Sequence, residues 1–260
     1  MKDSVTAGDP YDAIAEAYDA DVADSFLHRV SIPSLVKACG PGDVVLDLAC
    51  GQGVLARAMA RAGRTVVAVD TSRRLLEIAA REESDSPLGI EYRRDDARTL
   101  ATLDDGSFDG VASNVALGDL DDLGAVFRAV ARVLRPGGWF AFAALHPCFC
   151  PPGRATVQVD GRAALQVGRY FEEGRHRRSE QTHIFAGMEW HHRTLSTIWR
   201  DLRGAGLAVE DLTEPEPAAD VAAEAPIYGQ VAVVLVVSAV KLPEAGEAAG
   251  RPRERRPSRA

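Results

Sequence analysis

Lysine is nearly missing from this sequence, with three against 27 arginines. Together with abundant alanine this suggests a GC-rich bacterial genome, and it carries no mechanistic weight. Cysteine is scarce as well, at four in 260 residues. With no apolar segment in the opening M-K-D-S-V-T-A-G-D-P to act as an export signal, the four read as reduced thiols of a cytoplasmic protein. Long hydrophobic runs are lacking: the most apolar stretch, Val231 to Val240, falls far below the roughly 20 residues that span a bilayer. No internal repeat is found. Net positive charge is lacking too. The formal charge is −8, and since residues 241–260 hold six basic and three acidic side chains, the rest carries −11. A body so charged is not expected to grip phosphate backbones. Neither membrane nor nucleic acid is therefore expected as a partner.

What is present is ordered alternation. Helical spacing runs from Tyr11 to Val30 through Ile14, Tyr18, Val22 and Phe26, and a second helix, broken by Pro33, is expected over Leu35–Ala38. The rest reads as strand Val44–Leu48, helix Val54–Ala62, strand Thr65–Val69, a Ser72-capped helix through Ala80, strand Glu91–Arg93, strand Phe108–Ser113, helix Leu123–Leu134 and strand Trp139–Leu145. Such alternation specifies a parallel sheet covered by helices on both faces. The pattern stops after His146 and returns with helix Thr194–Ala205, strand Leu207–Leu212 and a final strand, Gln230–Lys241. The expected organisation is a helical cap (1–42), a core (43–145 and 194–242), a lid insertion (146–193) of loops and short strands, and a disordered tail (243–260) with almost nothing apolar.

The stretch V-V-L-D-L-A-C-G-Q-G, Val44 to Gly53, is the chemical focus. A buried strand ends in two glycines, which let the backbone approach a ligand, and a helix with free N–H groups follows. Gly51, Gly53 and Ala56 fit G-x-G-x-x-G/A and an acid follows at Asp70, a pattern that a nicotinamide dinucleotide site also predicts. Three features favour another ligand. Asp47 lies inside the strand before the turn, where a pyrophosphate needs no carboxylate but a cationic amino group welcomes one. Asp95-Asp96-Ala97 stands at the end of the third strand, where a nucleobase edge can be read. The chain also has no room for a separate catalytic domain.

V-L-D-L-A-C-G-Q-G, A-V-D, D-D-A, F-D-G-V-A-S-N and L-R-P-G-G-W-F-A-F resemble the successive motifs of class I S-adenosylmethionine-dependent methyltransferases, of the bacterial small-molecule type 11/25 kind. The resemblance covers about residues 11–145 and the last two strands. It implies an α/β, Rossmann-like, doubly wound seven-stranded sheet with an antiparallel last strand, and S-adenosylmethionine as cofactor. Carried over by position, Asp47, Ala49 and Gly51, with Gly53 in the same turn, would hold the methionine end. Asp70 would accept both ribose hydroxyls with Thr71 alongside, Asp96 and Ala97 would meet the adenine, and Asn114 would approach the methionine. Tyr11 and Tyr18, in Y-D-x-I-A-x-x-Y-D, resemble the helix that lids the cofactor in many members.

Methyl transfer from a sulfonium needs an aligned acceptor and, where necessary, a base. Five of the six histidines fall between residues 146 and 192, as do eight of the 16 aromatics between Trp139 and Trp190. This clustering marks 146–193 as the substrate lid. His146, at the carboxyl edge of the sheet, is the leading base, with His191 and His192 behind it. His176 and His183 read as solvated, and the run Arg175–Arg178 as a solvated loop or an attractor for an anionic acceptor. H-P-C-F-C sets His146, Cys148 and Cys150 on one face if the strand continues, but the prolines oppose this and no metal is expected. Asn114 is followed by Val-Ala-Leu rather than Pro-Pro-Tyr, unlike nucleic-acid amino-methylating enzymes. No Asp-Asn pair follows the fifth strand, unlike the magnesium-dependent catechol type. The expected activity is methylation, at oxygen or nitrogen, of a small aromatic or polyketide-like metabolite by a monomer or homodimer. A cyclisation using the same cofactor, a dehydrogenase and a non-catalytic partner subunit remain alternatives.

Overall fold

A computed structural model describes residues 9–22, 25–178, 183–224 and 226–243, residue 183 in its backbone only. The expected tail from 244 onward and the His183 side chain lie outside this set. A 3₁₀ turn, Pro10–Ala13, leads into α1 (Ala15–Val22), and α2 (Phe26–Ala38) follows. The long first helix expected from the spacing is thus interrupted, because Ser25 caps α2 through the His28 amide. The expected break at Pro33 is absent. Pro33 lies inside α2 with its ring in solvent, while Val30 and Leu35 are buried on the packed face. That packing outweighs the roughly 3 kcal/mol that proline costs a helix interior.

The core continues with β1 (Val44–Leu48), α3 (Val54–Arg61), β2 (Thr65–Asp70), α4 (Arg73–Asp85), β3 (Glu91–Arg94), β4 (Phe108–Asn114), α5 (Leu123–Val133) and β5 (Leu134–Leu145). After the insertion come α6 (Leu195–Gly204), β10 (Leu207–Thr213), α7 (Ala219–Glu224) and β11 (Val234–Lys241). The insertion itself makes two hairpins off the main sheet, β6 (Ala155–Val159) with β7 (Arg162–Gln166), and β8 (Gly174–Arg177) with β9 (Glu189–His192). The seven-stranded sheet has the order β10-β11-β5-β4-β1-β2-β3, with β1 to β5 parallel and β11 antiparallel to both neighbours. The strand order reverses between β1 and β4, which opens a crevice at the carboxyl ends of these parallel strands, where ligands bind in such sheets.

Helix α7 was not foreseen, and the last strand starts at Val234 rather than Gln230. Its partner β5 ends at Leu145, and the His146 amide donates to the Val233 carbonyl as the chain turns away. α4 likewise runs past Ala80 to Asp85. One core cluster packs α5 and α6 on one face, around Phe127, Phe140 and Phe142, and a second packs α2 and α3 on the other. The second closes over Trp139, whose indole donates to the Pro41 carbonyl at 2.8 Å. Gly110 makes room for this ring: a Cβ there would lie 1.9 Å from Trp139 Cε2. Gly110→Ala therefore overpacks the sheet and is expected to lower stability by at least about 1–3 kcal/mol, read as an earlier urea midpoint.

Candidate functional site

The crevice is bordered by two strained exits. The chain leaves β1 through Ala49 at φ 55° and β4 through Val115 at φ 54°. A left-handed backbone is unusual for alanine and a true outlier for a β-branched valine, and such strain collects at ligand sites. Between these exits lies a cavity of about 510 Å³. Below it, the Asp70 carboxylate accepts from the amides of Gly51 and Ser72, both at 2.8 Å, which leaves one lone pair on each oxygen. Burial pushes the Asp70 carboxyl above its usual range, and the two amides oppose that rise.

Tyr11, Tyr18, Ala49, Gly51, Asp70, Thr71 and Asn114 all line this cavity. Tyr11 and Tyr18 meet edge to face at 5.4 Å, and Tyr18 meets Phe185 of the insertion at 5.9 Å, so the N-terminal helix and the lid touch over the opening. Asn114 Oδ1 is buried and has no partner among the described residues. Asp47 sits just behind the wall at 1% exposure, and neither of its carboxylate oxygens has a partner among the described residues. Burial drives its carboxyl well above the usual range, and the Asp70 charge adds to the shift.

Besides Asp47, three positions expected around the cofactor lie outside the cavity wall. Gly53 is left-handed, at φ 88°, and a Cβ there would fall 2.3 Å from the Tyr92 hydroxyl, so side-chain packing explains this glycine. Asp96 is paired with Arg98 at 2.6 Å, and Ala97 is buried in the core beneath. Asp95 accepts from Asp96, Ala101 and Thr102 and so shapes the turn that carries both.

The histidines rank differently from the sequence reading. His146, expected as the leading base, does not line the cavity. Its Nε2 lies 2.8 Å from Glu214 Oε1, its Nδ1 accepts from the Cys148 amide, and it is 3% exposed. With both nitrogens engaged it pins the elbow after β5 to the segment after β10. His192 does line the cavity, but its Nε2 is held by the Tyr170 carbonyl at 2.7 Å. His191 lines it with a buried Nδ1 that has no partner among the described residues. Burial holds His191 below the ordinary histidine value, and the Arg193 cation adds to this. His176 is not simply solvated: its ring rests on Trp190 at 5.7 Å. The strand also ends at Leu145, so His146, Cys148 and Cys150 do not form the alternating face a metal would need. No group of three or more ligating side chains is brought together among the described residues.

Several lining groups had no sequence signal, and Arg178 had only that of the basic run. Arg193 donates to the carbonyls of Leu117, Leu120 and Asp121, fixing the loop after β4, while the His191 amide donates to Gly118 at 2.6 Å. Arg178, the last residue of the basic run, pairs with Asp119 at 2.7 Å and lies over the Phe185 ring at 4.9 Å. Asp9 binds the Thr71 hydroxyl across the mouth. Arginine runs and acidic loops are common on surfaces, so only the fold could single these residues out.

A family model described as "Methyltransferase domain" matches residues 46–142. An enzyme of Xanthomonas campestris pv. campestris named "Ubiquinone biosynthesis O-methyltransferase" is 32% identical over 173 residues, covering 65% of this chain and 70% of that protein. The protein of the same name from Xanthomonas axonopodis pv. citri is 30% identical over 210 residues, 79% of this chain and 81% of its own length. Among solved structures, an S-adenosylmethionine-dependent methyltransferase from Mesorhizobium loti superposes with a TM-score of 0.68 at 30% identity, over 80% of this chain and 96% of that one. No helix among the described residues is long and apolar enough to cross a membrane. With the strand order, the crevice at the strand ends and these similarities together, the chain belongs to the class I S-adenosylmethionine-dependent methyltransferases, with S-adenosylmethionine as its cofactor.

Proposed function

We propose that this enzyme methylates a hydroxyl oxygen of a small aromatic acceptor, with His191 as general base. The observation that carries the reading is the unpartnered, buried Nδ1 of His191 in the wall of the cavity. A hydroxyl must lose its proton to become a good nucleophile, so a neutral imidazole in the cavity wall suits oxygen chemistry. The Xanthomonas relatives, named as O-methyltransferases, support the same atom. Leu117, Leu145, Ile184, Phe185, Met188 and Trp190 give the acceptor end an apolar wall suited to a flat ring.

The residues present fit the cofactor. The unsatisfied carboxylate of Asp47 and the free Oδ1 of Asn114 face a need that a cationic amino group meets, and Asp70 keeps two lone pairs for a pair of hydroxyls. When bound, S-adenosylmethionine supplies an electrophilic methyl group on sulfonium sulfur. Tyr11 and Tyr18 exclude water from above, and the loop clamped by Arg193 holds the acceptor against the far wall. His191 takes the acceptor proton on Nδ1. His192, fixed by Tyr170, props the base of the lid, and His146 keeps the elbow after β5 in place.

Asp70→Ala is expected to weaken S-adenosylmethionine binding about a hundredfold or more in calorimetry, since two charge-assisted hydrogen bonds are lost. Calorimetry should detect no comparable affinity for NAD. Asp47→Asn is expected to raise the urea midpoint of the ligand-free protein, by relieving a buried charge worth about 1–3 kcal/mol, while weakening the cofactor. His191→Gln is expected to cut kcat about 10²–10⁴-fold with cofactor affinity kept, as followed by S-adenosylhomocysteine release. His146→Ala should instead lower stability and leave turnover per folded molecule nearly unchanged. Because burial lowers the His191 value and the base must be neutral, activity should be full at neutral pH and fall only as pH drops below the ordinary histidine value of about 6.5.

A further inference from the structure

The cavity wall is rich in carboxylates and poor in available cations. Asp9, Asp21, Asp70, Asp119 and Glu189 all line it. The arginines that line it are Arg178 and Arg193. Arg193 is occupied by three backbone carbonyls. Arg178 carries the remaining guanidinium, on the lid beside Phe185, and its Nη2 is held by Asp119 Oδ1 at 2.7 Å with side chains only 20% and 22% exposed. At that burial the pair is weakly screened, and its mutual neutralisation costs an incoming anion the strength of the ion pair. Just upstream, on β8, Arg175 is likewise paired, with Glu189 at 3.2 Å.

Resting on the reading of the site as an aromatic O-methylation centre, we propose that Asp119 sets acceptor charge: by masking Arg178 it makes the enzyme take neutral hydroxylated rings and turn away their carboxylated counterparts. Asp119 and Arg178 are thus specificity residues at the acceptor end. Of the two sequence readings of the basic run, a solvated loop or an attractor for an anionic acceptor, the pairing speaks against the second: the acids opposite make this end repel anions.

The test compares methyl protocatechuate with protocatechuate, a neutral ester and its acid, as acceptors for the full-length enzyme with S-adenosylmethionine. Each kcat/KM is followed by S-adenosylhomocysteine release. The wild type is expected to prefer the ester by about tenfold or more, because an unpaired like charge is costly in a partly buried site. Asp119→Asn should unmask Arg178 and shrink or reverse that preference by raising the rate on the acid. The double variant Asp119→Asn/Arg178→Gln should lose this gain, as the cycle isolates the pair. Equal rates on ester and acid in the wild type overturn the proposal without any variant. An Asp119→Asn enzyme that binds the cofactor more tightly by calorimetry, with the ester preference unchanged, also overturns it, since Arg178 then serves the cofactor. Turnover of neither compound, nor of any other hydroxylated ring, with cofactor affinity intact, refutes the aromatic O-methylation reading itself. Failure on acceptor class and failure on acceptor charge are therefore told apart.

Discussion

The guanidinium of Arg193 is the tie on which the site depends. It donates to three carbonyls of the loop after β4, at Leu117, Leu120 and Asp121, where no regular ladder could satisfy them. That loop is also where the strained Val115 and the cavity-lining Gly118 and Asp119 sit. Because Arg193 follows β9 directly, the same contact fastens the lid hairpin to the sheet, and the His191 amide on Gly118 completes the join. His191, the loop after β4 and the Asp119 carboxylate that pairs with Arg178 are in this way held by one cluster of hydrogen bonds, across about 75 residues of sequence separation.

The electrostatics of the crevice work against stability and for binding. A carboxylate at Asp47 with no partner among the described residues, a second at Asp70 raised by burial, and left-handed residues at both strand exits each cost free energy in the ligand-free protein. Two large apolar clusters on opposite faces of the sheet offset that cost. The rigid aromatic core of Phe127, Phe140 and Phe142 and the seating of Trp139 against Gly110 are what allow the strand ends to hold such unfavourable groups in place.

Much of this was readable in advance, and for a local reason. A strand ending in Gly51 with acids at Asp47 and Asp70 is defined by neighbours in sequence, and so is the strand–helix alternation that orders the sheet. Errors arose where distant segments decide. Pro33 did not break α2, because its ring faces solvent while Val30 and Leu35 are packed. Gly53 resembled a ligand-binding glycine, yet Tyr92, from another strand, explains it. His146 stood at the right edge of the sheet but is occupied by Glu214, 68 positions away.

The sequence by itself determined the fold class, through periodicity within single β–turn–α units, and it pointed to the cofactor through the resemblance carried by its successive motifs. The tertiary structure alone decided which histidines line the cavity, which arginine is neutralised and which carboxylate does it. Those properties depend on the direction of side chains and the pairing of charges between segments far apart in the chain, and neither is encoded in any local pattern.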